Sequence, residues 1–393
     1  MFKQFKTAKT LAFVAAVAGS GYLFAPPAPP TPAGGPAAAP AGVTKAEGYY
    51  AYGSVSTTPG AVVTEPTVMA IKVTKILGLV SAVTAEAAEA MNSSGSNAGA
   101  LGADTGTKIA GSSGSAHKAS TWLRVSYGAI DNSVTGQAWN GQSYLTMVGA
   151  DYKFNNMFCA GLGLSYSHLD ARTEFNNGKM KQDTLGVNPY FIIVPHKNFN
   201  FEFVSGWSTT KGNDSRRWIT TRQTNAAGVV EQVDNTFTCT PKAKAMFGGV
   251  FANFVNKVNK TSFNLQLGYL MMQSKMDKFT EKSQQAAYAR DAGVTPSNTF
   301  KAQTATAKVL VGYQITPSVM PFINVHGQYD VKKNQGVTFA TAAAYKVNRS
   351  AIGGGAGLQV KNDDALSGSL QFDYTARGQL KTYVTGLRLH YGF

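Results

Sequence analysis

The sequence is most informative in what it has little of. Only two of its 393 residues are cysteine, Cys159 and Cys239, too few for a disulfide framework in a chain this long. Charged residues are 15% and apolar residues 44% of the total. An apolar fraction this ordinary excludes a helical membrane bundle but permits a barrel, whose strands are apolar on one face only. Acidic residues are the scarcer sign, 21 against 36 Lys and Arg, for a net of +15. The basic residues are scattered, and no Lys/Arg run resembles a nucleic-acid arm, so nucleic acid is not an expected partner. What the excess suggests is solvated loops and lumen, or contact with an anionic surface such as lipopolysaccharide.

What the chain does have begins with MFKQFKTAKT, a basic start carrying Lys3, Lys6 and Lys9, followed by the apolar LAFVAAVA. Ala16-Val17-Ala18 before Gly19 and Leu23-Phe24-Ala25 before Pro26 are two small-residue cleavage sites. The apolar core is too short to span a bilayer, so residues 1–25 read as a cleavable signal peptide for Sec export. Residues 26–42 are Pro/Ala/Gly-rich and cannot pack a core. Across 68–91, Met69, Val73, Ile76, Val80, Val83, Ala87 and Ala90 recur at helical spacing, predicting one helix. Its uncharged stretch from Ile76 to Ala85 is too short to cross a membrane. Residues 92–118 return to Ser, Gly and Ala and read as a linker.

At residue 119 the texture changes. Short segments alternate apolar and polar residues with period two, separated by turn residues. Tyr144, Thr146, Val148, Ala150, Tyr152 and Phe154 share one face; so do Phe158, Ala160, Leu162, Leu164 and Tyr166. Phe199, Phe201, Phe203 and Trp207 repeat the pattern, as do Phe263, Leu265, Leu267, Tyr269 and Met271. Leu370, Phe372 and Tyr374 alternate with Ser369, Gln371 and Asp373. Twelve strands are predicted, near 119–129, 140–154, 157–171, 182–194, 198–210, 237–254, 261–275, 301–315, 320–331, 350–361, 366–375 and 380–393. Links after even-numbered strands are short and most links after odd-numbered strands are long, including 211–236 and 276–300. Short turns on one rim and long loops on the other are the construction of an outer-membrane barrel. The even count places both barrel ends on the short-turn rim, the periplasmic one, with the long loops at the cell surface. From residue 119 on there are 28 Lys and Arg against 16 Asp and Glu, a net of +12.

The ending is the most specific element. In LRLHYGF, Leu387, Leu389, Tyr391 and Phe393 alternate with Arg388, His390 and Gly392. An amphipathic last strand closing on Phe is what the barrel-assembly machinery engages, so these four residues are the candidate assembly signal.

Three segments resemble the translocator domain of autotransporters: VGADYKFNNMFCAGLGLSYSHLDARTEFNNGKMKQDTLGVNPYF at 148–191, NKTSFNLQLGY at 259–269, and SGSLQFDYTARGQLKTYVTGLRLHYGF at 367–393. The resemblance covers residues 119–393 and implies an all-β, antiparallel, twelve-stranded barrel in the bacterial outer membrane with a segment threaded through its pore. The chain departs from the family's pattern in two ways. The family carries a large passenger ahead of its barrel, where this chain has a short low-complexity segment and one helix. The family's pore helix adjoins the first strand, whereas here 92–118 intervenes. Some members cut themselves at an Asn pair in that helix; Asn155-Asn156 and Asn176-Asn177 fall in a turn and a loop, so that activity is not carried over.

No enzyme constellation emerges, and neither a cofactor nor a metal is expected. His168 and Asp170 lie two apart near the end of the third strand, and Asp214 lies in a predicted loop; a general base needs a partner at hydrogen-bond distance. His326 alternates with Asn324 and Gln328 and reads as a lumenal polar residue rather than a metal ligand. Asp363-Asp364 reads as a turn. GGGAG at 353–357 lacks the Lys and Ser of a phosphate loop and lies in a strand context, where it allows kinking or close packing. The residues thus point to a monomeric translocator-type barrel, with a porin-like channel or a surface adhesin acting through its long loops as alternatives. Outer-membrane lipid and lipopolysaccharide, the Sec machinery and the barrel-assembly machinery are its expected partners.

Overall fold

A computed structural model describes residues 48–49, 55–56, 118–133, 139–173, 178–196, 198–223, 230–286, 294–295, 297–334, 349–361 and 366–393, all within the compact unit Ala46–Phe393. The predicted signal peptide and the helix over 68–91 lie outside the described residues. So does the rest of the region before the barrel, apart from Lys118 and a pairing of Gly48–Tyr49 with Val55–Ser56.

Twelve antiparallel strands form a closed barrel. They are β1 Ala119–Asn132, β2 Trp139–Lys153, β3 Phe158–Thr173, β4 Lys179–His196, β5 Phe199–Gln223, β6 Lys242–Val258, β7 Thr261–Met276, β8 Asn298–Tyr313, β9 Val319–Asn334, β10 Ser350–Lys361, β11 Leu366–Arg377 and β12 Leu380–Gly392. Each pairs with its sequence neighbour, and β12 closes on β1 from Leu380↔Asn132 to Gly392↔Ser120. Closure leaves no edge, which the hydrocarbon requires because it offers backbone groups no partner.

The connections obey the sorting read from the sequence. On one rim lie the tight turns 154–157, 259–260 and 314–318. Each described turn has its own local chemistry. Asn155 Oδ1 accepts from the backbone N–H of Met157 (2.8 Å) and Phe158 (2.9 Å), an Asx turn. Asn259 takes a left-handed φ of 54°, which asparagine tolerates better than other side chains. At the opposite rim the β11–β12 turn is tight, with Gly378 at φ 60°, the conformation that a two-residue hairpin loop demands.

One predicted loop is not a loop. The described residues of the span 211–236 continue the sheet: β5 runs on to Gln223, and a return strand, Val230–Cys239, pairs with it from Asp214↔Cys239 to Gln223↔Val230. The sixth barrel strand consequently starts at Lys242 rather than at 237. Hydrophobic periodicity could not mark this arm, because beyond the bilayer a hairpin has no lipid face and needs no apolar alternation. The long link after β7 also has structure: Phe279–Thr280 pairs with Val294–Thr295, and Lys282–Ser283 adds to the edge of the return strand.

Candidate functional site: the lumen and the closing strand

The barrel wall is inside out relative to a soluble protein. Outward positions are large and apolar, such as Leu164, Leu185, Leu267, Val325 and Ile352, all exposed, while the buried positions include Ser120, Arg124, Asn188, Asn253, Gln266, Asp330 and Arg388. Exposed apolar surface on this scale is a liability in water and a requirement in lipid. Along β7 the parity is clear: Phe263, Leu265, Leu267 and Met271 are exposed and Asn264, Gln266, Leu270 and Met272 are buried, with Gly268 and Tyr269 intermediate.

The inward face is not uniformly polar. Trp122, Met147, Tyr190, Ile192, Phe247, Phe251 and Leu270 form one buried cluster on the inner wall, and its aromatic rings lie over glycines of neighbouring strands. A Cβ on Gly149 would overlap Trp122, one on Gly161 would overlap Tyr190, and those on Gly206 and Gly268 would overlap Phe247 and Phe251. These glycines supply close approach. Trp122 Nε1 donates to the Tyr190 hydroxyl at 3.0 Å, which satisfies both polar tips within the cluster. At the long-loop rim Ile130, Trp139, Leu169, Met180 and Leu380 form a second cluster, joined by Phe279 of the link after β7.

Polar networks occupy the rest of the inner wall. Near the long-loop rim the Arg377 guanidinium donates to Asp330 Oδ2 at 2.6 Å and to Gln328 Oε1 at 3.1 Å, and Thr304 donates to Asp330 Oδ1 at 3.0 Å. Both members of this ion pair are buried, so the penalty for removing one partner alone is large. Lower down, Asn324 donates to Asp373 Oδ1 at 3.0 Å, Gln371 also bonds Asp373, and His326 meets Asn324 Oδ1 and Thr375 Oγ1 at 3.2 and 2.9 Å. His326 is therefore a lumenal polar residue, as its alternation predicted. The network crosses β9, β10 and β11 only because the intervening strand is GGGAG. A Cβ on Gly353 would overlap His326, one on Gly355 would overlap Asp373, and one on Gly357 would overlap Phe322. Gln266, Asn253 and Asn200 form a third chain at 3.0 and 2.8 Å, beside the buried Glu202.

The closing strand carries its predicted parity. Leu387, Leu389, Tyr391 and Phe393 take the outward positions of β12, alternating with buried Arg388, His390 and Gly392. The Phe393 N–H donates to the Ala119 carbonyl at 3.0 Å, and the Tyr391 and Phe393 rings stack with centroids 6.4 Å apart. Arg388 faces Arg124 directly across the β1–β12 seam.

Other singled-out residues are dispersed. His168 pairs with Asp183 at 2.8 Å rather than with Asp170, which instead meets Lys181 at 3.4 Å. Asp214 is not a loop residue but a buried position of β5 opposite Cys239. Cys159 is buried at the short-turn end of β3, and Cys239, like Cys159 in no disulfide, ends the return strand. Asp363-Asp364 and Asn176-Asn177 lie outside the described residues. Among the described residues no three of His, Cys, Asp and Glu converge as a metal site requires. Sequence reasoning missed the Arg377–Asp330 and Trp122–Tyr190 contacts; the only signal was that all four residues hold inward parity.

A closed, inside-out antiparallel barrel of twelve strands, with turns and loops sorted by rim, is a transmembrane β-barrel of the bacterial outer-membrane type. The autotransporter β-domain profile matches residues 121–373, and the chain belongs to that family. The fold is similar to the translocator domain of the autotransporter NalP from Neisseria meningitidis (TM-score 0.58, 13% identity, 70% of this chain and 88% of that one). It is also similar to the β domain of the Bordetella autotransporter Brka (TM-score 0.50, 12% identity, 70% and 100%). At such identities the likeness speaks for the fold. Among curated proteins none matches the sequence. The protein is an outer-membrane β-barrel with an autotransporter translocator domain.

Proposed function

We propose that the barrel holds or passes its own N-terminal segment, residues 43–118, which is displayed outside or retained as a plug. In this reading the long-loop rim faces the cell surface and the short-turn rim, with both barrel ends, faces the periplasm. The chain acts as a monomer after Sec export and insertion by the barrel-assembly machinery, with Leu387, Leu389, Tyr391 and Phe393 as the recognised strand, and the reading contains no catalytic step.

One observation carries it. Ala119 and Phe393 meet at the short-turn rim, so the segment before the barrel joins the wall at that mouth, the mouth opposite the long loops. A segment starting there reaches the other side only through the lumen. The adjoining inner wall supports passage: Ser126, Ser367, Ser369, Gln371 and Gly386 line β1, β11 and β12 with small or polar side chains.

The test uses intact cells and a membrane-impermeant thiol reagent, with Cys159 and Cys239 first replaced by serine. Cysteine placed at Ser297, in the link after β7, should label, and cysteine at Asn156, in a short turn, should not. Labelling of Asn156→Cys alone would reverse the orientation. In planar bilayers, deleting 43–118 should raise the single-channel conductance; an unchanged conductance would exclude a plug.

A further inference from the structure

The outward face just above the apolar band is not the same all round. On β4 to β8 it carries Lys181, Lys211, Lys242, Lys244, Lys275 and Lys301, all exposed. Two pairs stand directly opposite one another across neighbouring strands, Lys211 with Lys242 and Lys244 with Lys275. Lys301 pairs with Gln273, one outward position below Lys275. Like charges placed opposite each other in a sheet repel; the nearest acids are Asp170, 3.4 Å from Lys181, and Asp183, opposite Lys211 in register. Lower on the wall an aromatic level runs through both arcs: Tyr127 packs on Tyr144 and Tyr374 on Tyr383, with centroids 5.2 and 5.1 Å apart, and Trp207 of β5 and Tyr269 of β7 take outward positions. A tyrosine girdle is the ordinary way to end an apolar band. Above it, the β4–β8 arc adds ammonium groups.

Position decides what those groups meet. Lys244 lies one outward position beyond the exposed Met246, and Lys275 two positions beyond the exposed Met271. At roughly 2.5 Å of height per residue in a tilted strand, that is about 5–10 Å past the hydrocarbon, the level of lipid headgroups. The side chains leave the wall sideways, toward neighbouring lipids and away from the lumen. Ammonium groups gathered there make charge-assisted hydrogen bonds to phosphate oxygens.

We propose that the β4–β8 arc is a docking site for the phosphate groups of anionic glycolipid in the outer leaflet. The proposal rests on the long-loop rim facing outward, an orientation tested separately by the cysteine labelling above, whereas the binding measured here in detergent is independent of it.

The experiment titrates the full chain with bisphosphorylated lipid A, and with the same lipid dephosphorylated, counting bound lipid by native mass spectrometry. Wild-type protein should retain the phosphorylated lipid. Lys242→Gln with Lys244→Gln, Lys275→Gln and Lys301→Gln should weaken that binding by about tenfold or more. Lys381→Gln, on β12 of the opposite arc, should not. Should the quadruple variant lose its heat-modifiable gel shift, the double variant Lys244→Gln/Lys275→Gln serves, with an intermediate loss expected. Equal retention by wild type and lysine variants, or equal retention of dephosphorylated lipid, would overturn the proposal. So would displacement of the lipid by inorganic phosphate in excess, which would make the arc a site for free anions.

Discussion

A scan of arginine along the outward face of β7 tests the barrel most directly. The host positions are Thr261, Phe263, Leu265, Leu267, Tyr269, Met271, Gln273 and Lys275, which share one face of the strand. At roughly 2.5 Å of height per residue, the apolar run from Phe263 to Met271 covers about 20 Å, close to the apolar band of a membrane barrel. Its midpoint is Leu267, 52% exposed and flanked in register by Ala252 and Ala307, with no acidic neighbour there to accept a charge. Arginine at Leu267 should therefore cost about 2–4 kcal/mol, falling to about 0–1 kcal/mol at Thr261 and at Gln273. Tyr269→Arg should cost somewhat more than depth alone requires, because the Tyr269 hydroxyl donates to Gln303 at 2.9 Å. Reversible denaturant unfolding in phospholipid vesicles, followed by tryptophan fluorescence and the heat-modifiable gel shift, measures the profile. A dome centred on Leu267 is expected. A flat profile, or a maximum at either rim, would refute the lipid-facing assignment of this face and with it the register of the wall.

Three further outcomes are expected. Deleting Phe393 should lower the yield of membrane-integrated barrel, since it removes both the N–H bonded to Ala119 and the ring beside Tyr391; wild-type levels of heat-modifiable protein would count against an assembly role. Arg377→Ala should destabilise by about 3–5 kcal/mol, whereas Arg377→Met combined with Asp330→Leu should cost less than the single change, because the single change strands a buried charge. In non-reduced protein, unfolding and alkylation should yield two modified thiols by mass spectrometry. Cys159 lies at the short-turn end of β3 and Cys239 lies opposite Asp214, well along β5 toward the long-loop side, roughly 35 Å of height apart by strand rise, against a disulfide limit of about 7 Å. A bridged Cys159–Cys239 peptide would overturn the rim assignment.

The wall was legible in the sequence because lipid imposes one rule on every strand. A residue facing hydrocarbon must be apolar and its neighbour, facing the lumen, need not be. Phe263-Leu265-Leu267 and Leu387-Leu389-Tyr391 therefore declare their orientation locally, and the parity of loop lengths declares the two rims. Where that rule stops acting, the sequence pattern falls silent too: the arm that pairs Asp214–Gln223 with Val230–Cys239 is sheet rather than loop, and no periodicity marked it because both of its faces lie beyond the bilayer. The lumen was decided by tertiary structure alone. Whether Arg377 meets Asp330, whether His168 takes Asp183 rather than Asp170, and which rings cover Gly161 and Gly268 all depend on cross-strand register. Register is a property of pairs of strands and not of any one segment. GGGAG shows the difference most clearly. Its composition said only that side chains were missing at 353–357, and it took the neighbouring strands to show that His326, Asp373 and Phe322 fill the space those glycines leave.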